Sequence, residues 1–391
     1  MSEYQYYEFQ SLDRRLSPQE MARLRALSSR AHITPTSFTN FYNWGDFKGD
    51  PKALVEQYFD AFLYLANWGT RRLMLRLPSR LLNLETASRY CPGGSASAWA
   101  SGEHVIVEFT SDRESAGVSG EEWDPEEDET GEDWLSAILP VRGELARGDY
   151  RCLYLGWLRC AMVGELEEDA VEPPVPAGLG RLSGALEEMA RFLRVDPDLI
   201  AVAAERSPDM GAVLPAEHAM AAWVARLPVQ EKDELLLRLL RGDIHVGHEL
   251  FQRARRELGA ADGRLNKGGD TPRTVSELLA RAEARRAARL REQAERERKE
   301  RERRAREEAA RRARYLAQLA NREEQAWQQV EELIATRRPG FYDQAVELLR
   351  DLRDACAQAG RADAFGSRLQ SLRARHARKD TFIRRLEQAG L

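Results

Sequence analysis

Aromatic and polar residues alternate at the start of the chain, Tyr4-Gln5-Tyr6-Tyr7-Glu8-Phe9, which predicts a strand. Ser17-Pro18-Gln19-Glu20 carries the marks of a helix start: Ser at the N-cap, Pro at the first position, Glu at the third. Met21, Leu24 and Leu27 continue it at helical spacing. Phe38, Phe41, Tyr42, Trp44 and Phe47 then make a dense aromatic patch. Asp50-Pro51 opens a second predicted helix, with Leu54, Tyr58, Phe62 and Leu65 on one face and Phe59 and Leu63 widening it. Trp68-Gly69 ends that helix, and Arg72 to Leu77 reads as a strand. Residues 96–100 and 104–109 form the clearest hairpin, turning at Ser101-Gly102. An apolar segment from Leu145 to Met162 reads as a buried helix closing the region.

Glu172-Pro173-Pro174-Val175-Pro176 predicts a linker, because proline fixes φ and removes donors. After it the pattern is helical. Leu182, Leu186, Met189, Phe192 and Leu193 form one stripe, Asp196-Pro197 starts another helix, and residues 219–227, 232–240 and 249–258 continue the series. Residues 262–270, DGRLNKGGD, break it. From Thr274 to Arg338 there is neither proline nor glycine, and at its centre Glu295 to Arg304 reads ERERKERERR. Tyr342, Ala345, Val346, Leu349 and Leu352 then mark an amphipathic helix, and Phe365, Leu369 and Leu372 a second, with Phe382, Ile383 and Leu386 finishing it. The expected fold is α+β and mostly helical. It comprises a mixed α/β domain over residues 1–170, a helical middle over 171–262, a long charged helix over 274–338, and a C-terminal helical hairpin over 339–391.

The charged helix resembles a coiled coil in composition, but its centre lacks the apolar seam that grips a partner helix. Glu-first pairs four residues apart, such as Glu292–Arg296, Glu295–Lys299 and Glu300–Arg304, support a helix that stands alone. Homodimerisation through it is allowed by the sequence but under-specified. Charge is uneven along the chain. Residues 1–172 hold 29 acidic and 17 basic side chains, a net −12, whereas the whole chain is −5. Residues 281–314 are net +7. A basic helix can track phosphates, yet here the acids are interleaved and no aromatic side chain offers stacking.

Four dispersed cysteines, Cys91, Cys152, Cys160 and Cys356, fit reduced thiols better than a disulfide framework. No apolar run approaches the roughly 18 residues of a membrane helix, and MSEYQYYEFQ lacks the features of a signal peptide. A cytoplasmic protein is expected.

Candidate chemistry is thin. His245 and His248 are three apart but no third ligand is signalled, so surface or capping roles are expected. The acidic run Glu121–Asp133 lacks the spacing of a calcium loop. Gly178-Leu179-Gly180 follows a proline segment and not a strand, outside the context of a dinucleotide loop. If the N-terminal domain has a binding loop, the polar, glycine-bearing segment Asn43–Asp50 is where it is expected. No cofactor and no metal site are indicated.

Phe341-Tyr342-Asp343-Gln344-Ala345-Val346, Leu349 and Leu352-Arg353, followed by Leu372 to His376 and Ala389-Gly390-Leu391, resemble the C-terminal tail of bacterial SWIM zinc-finger proteins. The resemblance covers about 50 residues and implies a small helical unit. The family's Cys-x-Cys and Cys-x-His zinc pattern is absent, so zinc binding does not carry over. Tyr4–Phe9, Ile33-Thr34-Pro35-Thr36 and Trp44 to Pro51 resemble an uncharacterised bacterial family, which implies no activity.

These features suggest a non-enzymatic scaffold or adaptor in which the charged helix spaces protein-binding modules. Phe341, Tyr342, Val346, Leu349, Arg353 and Phe382 of the hairpin are the expected partner-binding residues. A nucleic-acid-associated protein is the alternative, using Arg296, Arg298, Lys299, Arg301, Arg303 and Arg304 on phosphates. An enzyme of unrecognised type in the N-terminal domain is the third reading.

Overall fold

A computed structural model describes residues 4–112, 133–210, 217–258 and 272–391. The chain divides into two compact units, Met1–Ala288 and Arg289–Leu391. The fold is α+β and mostly helical.

The alternation at the start becomes β1 (Gln5–Gln10), an interior strand of a seven-stranded sheet. The others are β2 (His32–Ile33), β3 (Ser37–Tyr42), β4 (Ala61–Ala66), β5 (Arg71–Pro78), β6 (Ala96–Ser101) and β7 (His104–Ser111). Their order is β2-β3-β1-β4-β5-β7-β6, with every pair antiparallel. Phe9 is opposite both Phe38 and Phe62, so one face is built from aromatic rings in edge-on and tilted contact. That face is covered by α1 (Pro18–Leu27) and α2 (Pro51–Gln57), with Leu24, Leu54 and Val55 buried against it. The other face carries Tyr6, Leu63, Leu75, Val107 and Phe109. It is packed by α3 (Leu84–Tyr90), α4 (Trp134–Ile138), α5 (Pro140–Ala146) and α6 (Arg151–Met162).

The Ser17 cap is present as expected. Its Oγ accepts from Glu20 N at 3.3 Å, and Glu20 accepts from Ser17 N at 2.7 Å. The predicted helix from Asp50 to Leu65 is, however, two elements. α2 stops after Gln57, and Ala61–Ala66 is strand. The run from Phe59 to Ala66 is apolar on every residue but Asp60, so its hydrophobic positions satisfy a period of two as well as one of 3.6. Burial between two layers decides for the strand, since all six of its residues are inside. Asp60 marks the switch. Its carboxylate accepts from Leu12 N and Asp13 N at 2.7 and 2.9 Å and pairs with buried Arg76 at 2.8 Å.

Next come α7 (Gly184–Phe192), α8 (Pro197–Ala204), α9 (Glu217–Arg226), α10 (Val229–Leu240) and α11 (Val246–Glu257). All belong to the first unit. The proline segment, expected to be a linker, lies inside it as well. Val175 is buried in the sheet-side core, and Glu172 makes a buried ion pair with Arg273 at 2.7 Å. Proline needs no donor partners, which lets the segment pass through a core with few backbone groups to satisfy.

α12 (Val275–Asn321) begins in that core with Val275, Leu278 and Ala282 buried. From Arg289 on it belongs to the second unit, where Leu316 is buried and Arg312 pairs with Asp351 at 2.5 Å. The expected uninterrupted helix to Arg338 breaks at Arg322. α13 (Glu323–Ala335), α14 (Pro339–Gln358), α15 (Ala362–Arg375) and α16 (Asp380–Gln388) complete a bundle. Trp327, Val330, Ile334, Leu349, Leu372 and Phe382 are in its core. No proline or glycine forces the break. The apolar stripe of α13 has to meet α14, and tertiary packing overrides helix propensity. No helix among the described residues is long and apolar enough to cross a membrane.

Candidate functional site

The six basic residues expected on phosphates are all exposed. Each also has a glutamate beside it. Lys299 meets Glu295 at 2.7 Å, Arg303 and Arg304 both meet Glu300 at 2.9 Å, and Arg296, Arg301 and Arg298 lie within 4.0 Å of Glu292, Glu297 and Glu302. Hydrogen bonds from these cations hold the Glu295 and Glu300 carboxyls below their usual range. A phosphate binding here competes with a carboxylate already in place.

The expected partner-binding residues are distributed differently. Tyr342, Val346, Leu349 and Phe382 are buried in the second unit's own core, with the Tyr342 and Phe382 rings 5.6 Å apart. Phe341 is half-buried, and Arg353 is exposed beside Asp354 at 3.1 Å. Their amphipathic spacing therefore serves α13, α15 and α16, which leaves little of that face for another chain.

The second unit has instead a groove of about 330 Å³ between α13 and α15. Trp327, Gln328, Glu331 and Glu332 line it from α13, and Arg368 and Arg375 from α15. The Arg368 guanidinium sits 4.9 Å from the Trp327 ring centre and donates to Glu324 at 2.8 Å. Glu331 takes Arg375 and His376, each at 2.7 Å. Trp327 is buried, and its indole N–H has no acceptor among the described residues. A buried donor left unmade is unfavourable by about 1–3 kcal/mol, so an acceptor offered to it is a gain.

His245 and His248 are not simple surface side chains. His245 is buried at the start of α11, and its Nε2 lies 3.0 Å from Asp13 Oδ2. Arg142 donates to the same oxygen at 2.6 Å and, through Nε, to Arg76 O at 2.8 Å. Burial alone would raise the Asp13 carboxyl, but His245 and Arg142 outweigh it and hold it at about 2. The two imidazoles are 6.3 Å apart, and no group of three His, Cys, Asp or Glu side chains suited to a metal occurs among the described residues. Nearby, Gln252 Nε2 donates to Leu81 O and Ala146 O at 2.9 and 2.8 Å. This cluster docks α11 onto the sheet layer.

Within the aromatic patch, Phe38 and Phe47 are core, while Phe41, Trp44 and Trp68 are exposed. Trp44 belongs to the segment Asn43–Asp50, in which Asp46 accepts from Gln5 Nε2 at 3.1 Å. Cys91, Cys152, Cys160 and Cys356 are free and buried, and burial pushes the Cys91 thiol up to about 12. Of the acidic run, residues 121–132 lie outside the described residues. Two features carried no signal in the sequence. Arg159 is fully buried in the core, with Nε and Nη1 unpartnered among the described residues. α10 turns leucines to solvent. No protein-family model, curated protein or solved structure matches the chain.

Proposed function

We propose that this chain is a non-enzymatic adaptor that holds a protein partner in the groove between α13 and α15. The groove carries the reading. Trp327 beneath Arg368, the Arg368 and Arg375 guanidinium groups paired with Glu324 and Glu331, and an indole N–H without an acceptor suit an extended peptide segment whose carboxylate or carbonyl oxygens exchange with those glutamates. Glu332 on the same wall suits a basic residue of that segment. The exposed charged turns of α12 lie, in sequence, between two separately folded cores, an arrangement that suits an adaptor.

The test is capture from native lysate by the full-length chain, compared with an Arg368→Glu, Arg375→Glu variant. A protein retained by the natural chain and lost from the variant supports the reading. Equal retention by both sinks it. A second reading places nucleic acid on α12, favoured by the exposure of all six basic side chains. It predicts retention that falls with salt at a slope of about −0.9 per phosphate contact on a log–log plot.

A further inference from the structure

α10 is amphipathic, yet most of its apolar residues face outward. Its inner side sets Leu235 against Trp223, Leu227 and Ala254 and is otherwise charged. Glu231 pairs with Arg253, and Arg238 pairs with Asp243 at 2.7 Å and Glu249 at 2.9 Å. Its outer side carries Val229, Leu236, Leu237 and Leu240, with Ile244 just beyond the helix end, each at least half exposed, and Leu240 is 83% exposed. None of the helix's twelve residues is buried. Large apolar side chains exposed together on one helix form the kind of patch that on a monomer is often functional.

We propose that this stripe is covered by α10 of a second copy of the chain, packed antiparallel about a two-fold axis beside Leu237. The charges flanking the stripe select that occupant. Glu234 and Arg241 are seven residues apart, so they project on one side of the stripe, with Leu237 between them. Both are exposed, and neither side chain has an ion-pair partner among the described residues. Antiparallel helices related by a two-fold axis bring the same flank of each copy together. The axis then sets Glu234 of each copy against Arg241 of the other, twice over. A surface that is self-complementary in this way is what an isologous dimer needs. Antiparallel packing also opposes the two helix dipoles favourably. The inference concerns the first unit and is independent of the groove in the second.

The experiment is sedimentation equilibrium on the full chain across a wide concentration range. The natural chain is expected to form a dimer. Leu237→Glu and Leu240→Glu should abolish it, and both substitutions are at exposed positions, so circular dichroism should show the fold retained. Glu234→Arg alone and Arg241→Glu alone each replace two attractive contacts by two repulsive ones, and each should weaken the dimer roughly tenfold. An equimolar mixture of the two single variants restores both pairs, as does the double swap within one chain, and both should recover natural dimer strength. A natural chain that stays monomeric throughout overturns the proposal. So does a dimer insensitive to the leucine substitutions, or single charge variants that remain apart when mixed.

Discussion

The ion pair between Glu172 and Arg273 gives the sharpest test of how the first unit is held. Its two side chains are 3% and 2% exposed. Arg273 bridges both carboxylate oxygens at 2.7 Å and donates to Val202 O at 2.8 Å, while Tyr154 Oη donates to the same carboxylate. Backbone bonds run alongside, from Glu172 N to Arg273 O at 2.9 Å and from Val275 N to Ala170 O at 3.0 Å. The pair thus clamps the proline segment to the first turn of α12. Arg273→Met removes the cation and leaves the carboxylate buried with one hydroxyl donor. Breaking one side of a buried pair is destabilising by about 3–5 kcal/mol. For a unit of this size that lowers Tm by roughly 10 °C. Replacing both partners, Glu172→Gln with Arg273→Met, removes the stranded charge, so the double variant should be more stable than Arg273→Met alone. Tryptophan fluorescence during urea unfolding reads the first unit almost exclusively, because seven of the eight tryptophans precede residue 289. A loss below about 1 kcal/mol for Arg273→Met, or strict additivity in the double variant, would refute the clamp.

Three further outcomes are expected. Asp13 has its carboxyl held at about 2 in the fold against an ordinary 3.8, so its contribution to stability is present above about pH 4 and is lost as pH falls toward 2. Asp13→Asn should therefore be less stable at neutral pH, by about 1–2 kcal/mol, and should show a flatter stability profile across that acid window. Gly156 of α6 packs so closely on β7 that an added Cβ would lie 2.5 and 2.7 Å from the Phe109 ring and 3.1 Å from Ala96 Cβ. Gly156→Ala should lower first-unit stability by about 1–3 kcal/mol in chemical denaturation, despite the better helix propensity of alanine. Leu349→Ala opens a cavity in the second unit's core and should destabilise that unit by about 2–5 kcal/mol, read by far-ultraviolet circular dichroism of this all-helical unit, with the tryptophan-detected transition of the first unit unmoved.

Elements whose signals are short-range were legible in the chain. Ser17 with Glu20 made a capping box, residues 96–109 made a hairpin, and the Glu–Arg spacing around residue 300 made a helix. Two of the misread boundaries have different causes. Phe59–Ala66 fits two periods at once, and the break at Arg322 has no local signature. The candidate surfaces were less legible still. Amphipathic spacing shows that Tyr342, Val346 and Leu349 share a face, but it does not say whether that face meets its own bundle or another chain. The same spacing in α10 was present in the sequence, and only its neighbours reveal that the apolar side is turned outward.

Local sequence settled the capped helices, the alternating strands and the self-paired charges of α12, because those interactions span four residues or fewer, or a single turn. Which faces are inside was decided by tertiary structure. His245 meets Asp13 across 232 positions, and Glu172 meets Arg273 across 101. Such pairs form only when burial of the apolar layers has brought distant segments together. Burial is non-directional and depends on the sum of surfaces available, so no window of neighbouring residues contains it.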